Sequence, residues 1–225
     1  MSLPHIAPYE LPDARCLSLN RVTWAPDPGR AVLLVHDMQN YFLRAFAQTG
    51  PAGPATANIR RLLTACRQAG VPVIYTAQPS SQPASARGLL VDFWGPGLGG
   101  RPDDDQITAP LAPTPGDTVV TKHRYSAFHG TDLDDVLAAR GRDQMLITGV
   151  YAHLGCLLTA TDAFARGVQP FLVADAMADF DKERHWQALR YAADCCAGVT
   201  VTDEVLRLSA RPEPRTGPAL ISGHP

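Results

Sequence analysis

Four polar residues in this chain each follow an apolar run. Arg30-Ala31-Val32-Leu33-Leu34-Val35-His36 stops at Asp37. Val71-Pro72-Val73-Ile74-Tyr75-Thr76 leads to Gln78, Asp117-Thr118-Val119-Val120-Thr121 to Lys122, and Gln144-Met145-Leu146-Ile147-Thr148 to Tyr151. Each has an ordinary explanation on its own. Asp37 could simply cap a turn, and from its own stretch capping and chemistry are equally good readings. Together, a carboxyl, an amide, an ammonium and a phenol at strand ends form a set able to move a proton and hold an anion. Arg87 is a natural fork for a carboxylate, although an isolated arginine more often stays solvated at the surface.

Elements must bring these groups together. Short runs rich in Val and Leu read as strands buried on both faces. They fall at about 31–36, 71–76, 117–121, 144–148, 168–174 and 198–201, the fifth ending at Asp175. Between them lie helical patterns. Pro51 and Pro54 introduce one that Gly70 ends. Thr131 opens a second over Leu133, Val136 and Leu137, and a third runs from about 154 to 166. Asp181 caps a fourth, and Thr202-Asp203-Glu204 begins a last one. Residues 80–117 are long and irregular, which inside a compact domain is usually functional. Strand–helix alternation predicts a single-domain, doubly wound (Rossmann-like) α/β fold, with a six-stranded parallel sheet and helices on both faces. A Pro-rich arm over 1–29 precedes the domain at 30–209, and 210–225 reads as a loose tail.

Composition bounds the rest. The 225 residues carry a formal net charge of −2, without the basic signature of a nucleic-acid partner. No apolar run approaches the roughly 20 residues that span a bilayer. The start lacks the pattern of a signal peptide, so the cytoplasm is the expected compartment. The five cysteines form no C-x-x-C pair, which argues for free thiols. No G-x-G-x-x-G follows the first strand and no G-x-S-x-G elbow occurs, so no dinucleotide cofactor or serine nucleophile is expected.

Several segments resemble the isochorismatase family. They are Leu34-Val35-His36-Asp37-Met38-Gln39, Tyr75-Thr76-Ala77-Gln78-Pro79, Asp92-Phe93-Trp94-Gly95-Pro96-Gly97, Thr121-Lys122-His123-Arg124-Tyr125-Ser126-Ala127-Phe128, Gly149-Val150-Tyr151-Ala152-His153 and Phe171-Leu172-Val173-Ala174-Asp175-Ala176. The likeness runs from about residue 4 to 206. It implies hydrolysis of an enolpyruvyl (vinyl) ether with release of pyruvate, no cofactor, no metal, and a homodimer or larger assembly. It makes Asp37 the proton donor and Lys122 its charged partner. Gln78, Arg87 and Tyr151 would hold a chorismate-derived dicarboxylate, with Phe42, Trp94 and Tyr125 as walls. A cis peptide near Val150-Tyr151 is also implied.

In the thiol-using relatives of that family a nucleophile opens the helix after strand four. The resemblance puts that position at Gly155, with Cys156 one residue on and rotated away by about 100°. Cys156 is therefore expected to be buried packing. Gly155 is expected to remove the nucleophile and leave room for substrate or water. His36 and His153 are read as hydrogen-bonded structural residues. Asp37 would need a raised pKa in the bound complex to act as an acid near neutral pH.

The two substrate cues conflict. Gly155-Cys156 resembles the siderophore-type enzymes acting on isochorismate. The free-standing length resembles the phenazine-type enzymes acting on 2-amino-2-deoxyisochorismate. The 2-amino substrate, giving trans-2,3-dihydro-3-hydroxyanthranilate, is the expectation. Isochorismate hydrolysis is the alternative, and a cysteine amidohydrolase using Cys156 or a module that docks a carrier protein are lesser ones.

Overall fold

The computed structural model describes residues 3–209. Six parallel strands form one sheet in the order β3-β2-β1-β4-β5-β6. They are β1 (Ala31–His36), β2 (Val73–Ala77), β3 (Thr118–Thr121), β4 (Gln144–Val150), β5 (Gln169–Ala178) and β6 (Gly198–Thr200). The order reverses between β1 and β4, which pair in register from Ala31↔Gln144 to His36↔Gly149. A sheet of this kind opens its crevice at that reversal, beyond the carboxyl ends of the strands. The predicted doubly wound architecture is therefore present.

Alternation along β1 feeds two cores. Leu33 and Val35 pack with Ile59, Leu62 and Leu63 of α2 (Ala52–Gln68). Val32 and Leu34 face the other way, into a core shared with Ala160 and Ala163 of α6 (Leu157–Ala165) and Ala188, Leu189 and Ala192 of α7 (Lys182–Cys195). Each fully buried aliphatic side chain contributes about 1.5–3 kcal/mol, so β1, buried along its whole length, anchors both layers. α5 (Leu133–Ala139) joins the α6 side, and α8 (Thr202–Ser209) packs on α2.

Some boundaries differ from those read in the sequence. The arm is not wholly irregular, since Ala14–Leu19 forms a 3-10 helix capped by Asp13. The segment after β2 contains α3 (Ala84–Arg87) and α4 (Leu90–Trp94), and α1 (Asn40–Leu43) follows β1 directly. Helix α6 is preceded by a π-turn over Ala152–Cys156. The largest departure is β5, which runs past Asp175 to Ala178. Asp175 does not end the strand. Its carboxylate accepts hydrogen bonds from the Thr202 amide (2.7 Å) and hydroxyl (2.8 Å) and so caps α8. The β4–β5 register shifts here, from Ile147↔Leu172 to Gly149↔Met177, so β5 carries extra residues in a bulge. The expected tail, 210–225, lies outside the described residues.

Candidate active site

Asp37 follows the last residue of β1. Its backbone is left-handed (φ 50°), a conformation that few residues other than glycine adopt. There its carboxylate is 4% exposed and fully engaged. Lys122, next after β3, reaches across β2 to put Nζ 2.7 Å from Oδ2. The Thr76 hydroxyl donates to Oδ1 (2.6 Å) and accepts from the Asp37 amide (3.1 Å). Gln78 Nε2 donates to Oδ2 at 3.3 Å. Burial pushes the Asp37 carboxyl upward, but the Lys122 ammonium and the hydrogen bonds from Lys122 and Thr76 outweigh it. Asp37 is thereby held below the usual carboxylate range. Lys122 is 1% exposed and also donates to the Arg124 (2.9 Å) and Tyr125 (3.4 Å) carbonyls.

Gln78 is fixed by Gln39, whose amide donates to the Gln78 carbonyl (2.8 Å) and accepts from its N–H (2.9 Å). Arg87, expected at the surface on base rates, is 5% exposed instead. Its Nε donates to the Gly95 carbonyl (2.7 Å) and Nη1 to Gln78 Oε1 (3.3 Å). Gly97 makes room for it, since a Cβ there would stand 2.6 Å from the guanidinium carbon. Among the described residues Arg87 has no carboxylate within ion-pair distance. Burial lowers its pKa, against Tyr41 and Tyr125. A buried cation without an anion is costly unless a ligand supplies one.

These groups line one cavity beyond the carboxyl ends of β1 and β4. All nine predicted residues border it: Asp37, Lys122, Gly155, Gln78, Arg87, Tyr151, Phe42, Trp94 and Tyr125. Trp94 Nε1 donates to the Tyr125 hydroxyl (2.6 Å). The Tyr151 hydroxyl donates to the Phe42 carbonyl (3.0 Å), and burial holds its pKa well above the ordinary value. The Val150–Tyr151 peptide is cis, as the resemblance implied. The sequence reading missed Thr76, Leu90 and Phe180. Phe180 reaches the cavity because β5 continues beyond Asp175; the apolar run Ala176-Met177-Ala178 was the available signal.

Cys156 is fully buried in the α6-side core, with Sγ directed at the Thr148 carbonyl (3.9 Å). Burial pushes its thiol well above the usual range, so it is unsuited to attack. Gly155 faces the cavity, but the expected free space is absent. A Cβ built there would collide with Cε1 of the His36 ring and stand 2.7 and 2.9 Å from its nitrogens. His36 fills the gap, because β1 alternation turns its side chain toward the α6 face. Its Nδ1 faces the Val150 carbonyl (2.9 Å) and Nε2 the Tyr125 carbonyl (3.3 Å). Burial pushes its pKa down to about 4. His153 pairs with Asp179, Nδ1 to Oδ1 at 2.6 Å.

The arrangement offers a buried carboxyl beside an ammonium, an open guanidinium, aromatic walls, and no thiol or hydroxyl nucleophile at position 155. Comparison with known proteins points the same way. The isochorismatase domain family matches residues 31–204. The isochorismatase of Bacillus subtilis (strain 168) is 52% identical over 207 residues, covering 92% of this chain and 66% of that protein. The phenazine biosynthesis protein PhzD of Pseudomonas fluorescens is 52% identical over 204 residues, covering 91% of this chain and 98% of that one. Among solved structures, a cysteine hydrolase from Pseudomonas syringae pv. phaseolicola 1448A superposes with a TM-score of 0.76 at 29% identity, covering 84% of this chain and 96% of that one.

Proposed function

The chain belongs to the isochorismatase family of hydrolases, and we propose that it cleaves an enolpyruvyl (vinyl) ether with water by acid catalysis, without a covalent enzyme intermediate. The substrate proposed is 2-amino-2-deoxyisochorismate, giving pyruvate and trans-2,3-dihydro-3-hydroxyanthranilate. Support for the 2-amino form comes from the similarity to PhzD over nearly the full length of that protein. Isochorismate is the alternative, favoured by the similarity to the Bacillus isochorismatase.

The observation that carries the mechanism is a buried Asp37–Lys122 pair with the only nearby thiol, among the described residues, turned into the core. Asp37 delivers a proton to the terminal methylene carbon, and the ether carbon becomes an oxocarbenium ion. Water adds to that carbon and returns a proton to Asp37. The resulting hemiketal collapses, breaking the bond to the ring oxygen, which leaves as the alcohol while pyruvate forms. The surroundings of Asp37 hold its carboxyl below the usual range, so it must gain a proton to begin. A bound dicarboxylate brings negative charge beside it and excludes water. Both act in the same direction as burial, towards the acid form. Arg87 takes one substrate carboxylate as a fork and Lys122 neutralises charge near Asp37.

The test is a pyruvate-release assay with the two substrates side by side. Pyruvate from the 2-amino compound with a larger kcat/KM supports the reading. The reverse preference selects isochorismate. No pyruvate from either, with ammonia released from an amide and lost on thiol alkylation, would replace ether hydrolysis by amidohydrolase chemistry.

A further inference from the structure

The His36 imidazole lies where a side chain at position 155 would have to go. It is fully buried, shares the cavity lining with Asp37 and Gly155, and its Nδ1 is 3.8 Å from Asp37 Oδ2. A Cβ on Gly155 would overlap the ring edge at Cε1 and crowd both nitrogens. The two positions therefore compete for one volume. The ring also touches two wall segments, with a single N–H that goes to the nearer carbonyl, that of Val150. Nδ1 meets the Val150 carbonyl, one residue before Tyr151, and Nε2 meets the Tyr125 carbonyl, which Lys122 Nζ also approaches. Strand β1 thus reaches both the end of β4 and the loop after β3 through one side chain.

We propose that His36 is a positioning residue that stands in for the missing side chain at 155. Its ring occupies the volume a nucleophile would need, and by donating from Nδ1 to the Val150 carbonyl it fixes the adjoining Tyr151, while its Nε2 edge packs against the Tyr125 backbone beside Lys122. The pair His36/Gly155 thereby commits the site to proton transfer and excludes covalent attack from α6. This rests on the ether-hydrolysis reading above.

The experiment is steady-state pyruvate release by wild type, G155A, H36A/G155A and H36F, with far-UV circular dichroism to establish folding. G155A should lose about a hundredfold in kcat/KM, as expected when a crowded ring shifts neighbouring groups by about an ångström. H36A/G155A should recover at least roughly tenfold over G155A, because the ring that the new methyl strikes is gone. H36F fills the same place with a slightly larger ring that carries neither nitrogen. It should lower kcat about tenfold or more, with KM changed less than about threefold. A purely space-filling role would leave kcat near that of wild type. If G155A does not fold, the H36F split between kcat and KM still decides the positioning role. Active wild type with H36A/G155A as slow as folded G155A, or H36F with wild-type kcat, overturns the proposal while leaving the function intact. Wild type that releases no pyruvate overturns the function, and the pair with it.

Discussion

Replacing Arg87 with methionine should weaken binding while leaving stability nearly unchanged. The guanidinium is 5% exposed, has no carboxylate partner among the described residues, and is held by the Gly95 carbonyl and Gln78 Oε1. A charge-assisted hydrogen bond to a ligand carboxylate is worth about 1.5–3 kcal/mol. Its loss should therefore raise KM roughly 10- to 150-fold. In the empty protein the same change removes a buried cation, a relief of up to several kcal/mol. Against this stand two lost hydrogen bonds from the charged guanidinium, at about 1.5–3 kcal/mol each. The two nearly cancel, so Tm should move by less than about 4 °C in either direction. Calorimetry of the ligand-free protein and steady-state kinetics on the same preparations measure both. Arg87→Lys keeps the charge but loses the fork, and should fall between wild type and Arg87→Met in KM. A methionine variant that melts lower and keeps wild-type KM would show that Arg87 is a structural strut, not an anion receptor.

Three further outcomes follow from the same geometry. Asp37→Asn should fold and bind substrate within a fewfold of wild-type KM while kcat falls about 10²–10⁴-fold; retained turnover, measured as pyruvate, would remove Asp37 as the acid. Cys156→Ala should keep kcat within about twofold, and alkylating reagents should not inhibit the wild type, because the thiol is buried and strongly disfavoured as a thiolate. Burial depresses both His36 and His185 to about 4. The unfolded chain then binds more protons than the folded one between about pH 4 and 6.5, so stability is lost as pH falls through that window. The slope should approach about 2.7 kcal/mol per pH unit for two such groups, and urea melts at pH 5 and pH 7 that coincide would contradict it.

Much of this site was legible because the sheet puts strand ends on one edge. Asp37, Gln78, Lys122 and Tyr151 each follow an apolar run, and parallel pairing carries that pattern to one crevice. Arg87 was not legible as a buried group. Its burial depends on Gly95 and Gly97 closing over it, and no periodicity encodes that. Asp175 looked like a strand end because it interrupts an apolar run. Its partner is Thr202, far along the chain, and local pattern reading cannot supply such a contact. Gly155 was misread as open space for the same reason, since the ring that fills it arrives from β1. Alternation along Val32, Leu34 and His36 points that ring at the α6 side, so its direction is encoded locally even though its contact is not.

The ammonium of the reactive pair hangs from the edge of the sheet. β3 has four residues and, among the described residues, pairs only with β2, yet Lys122 must span β2 to reach Asp37. An edge strand is the kind of unit that opens locally before the rest of a domain does. Turnover is then tied to the docking of β3 rather than to the survival of the whole sheet. In mild denaturant, activity should fade while the helical signal persists, and amide exchange should quicken first in β3. The chemistry would serve as a reporter of how well the weakest strand is seated.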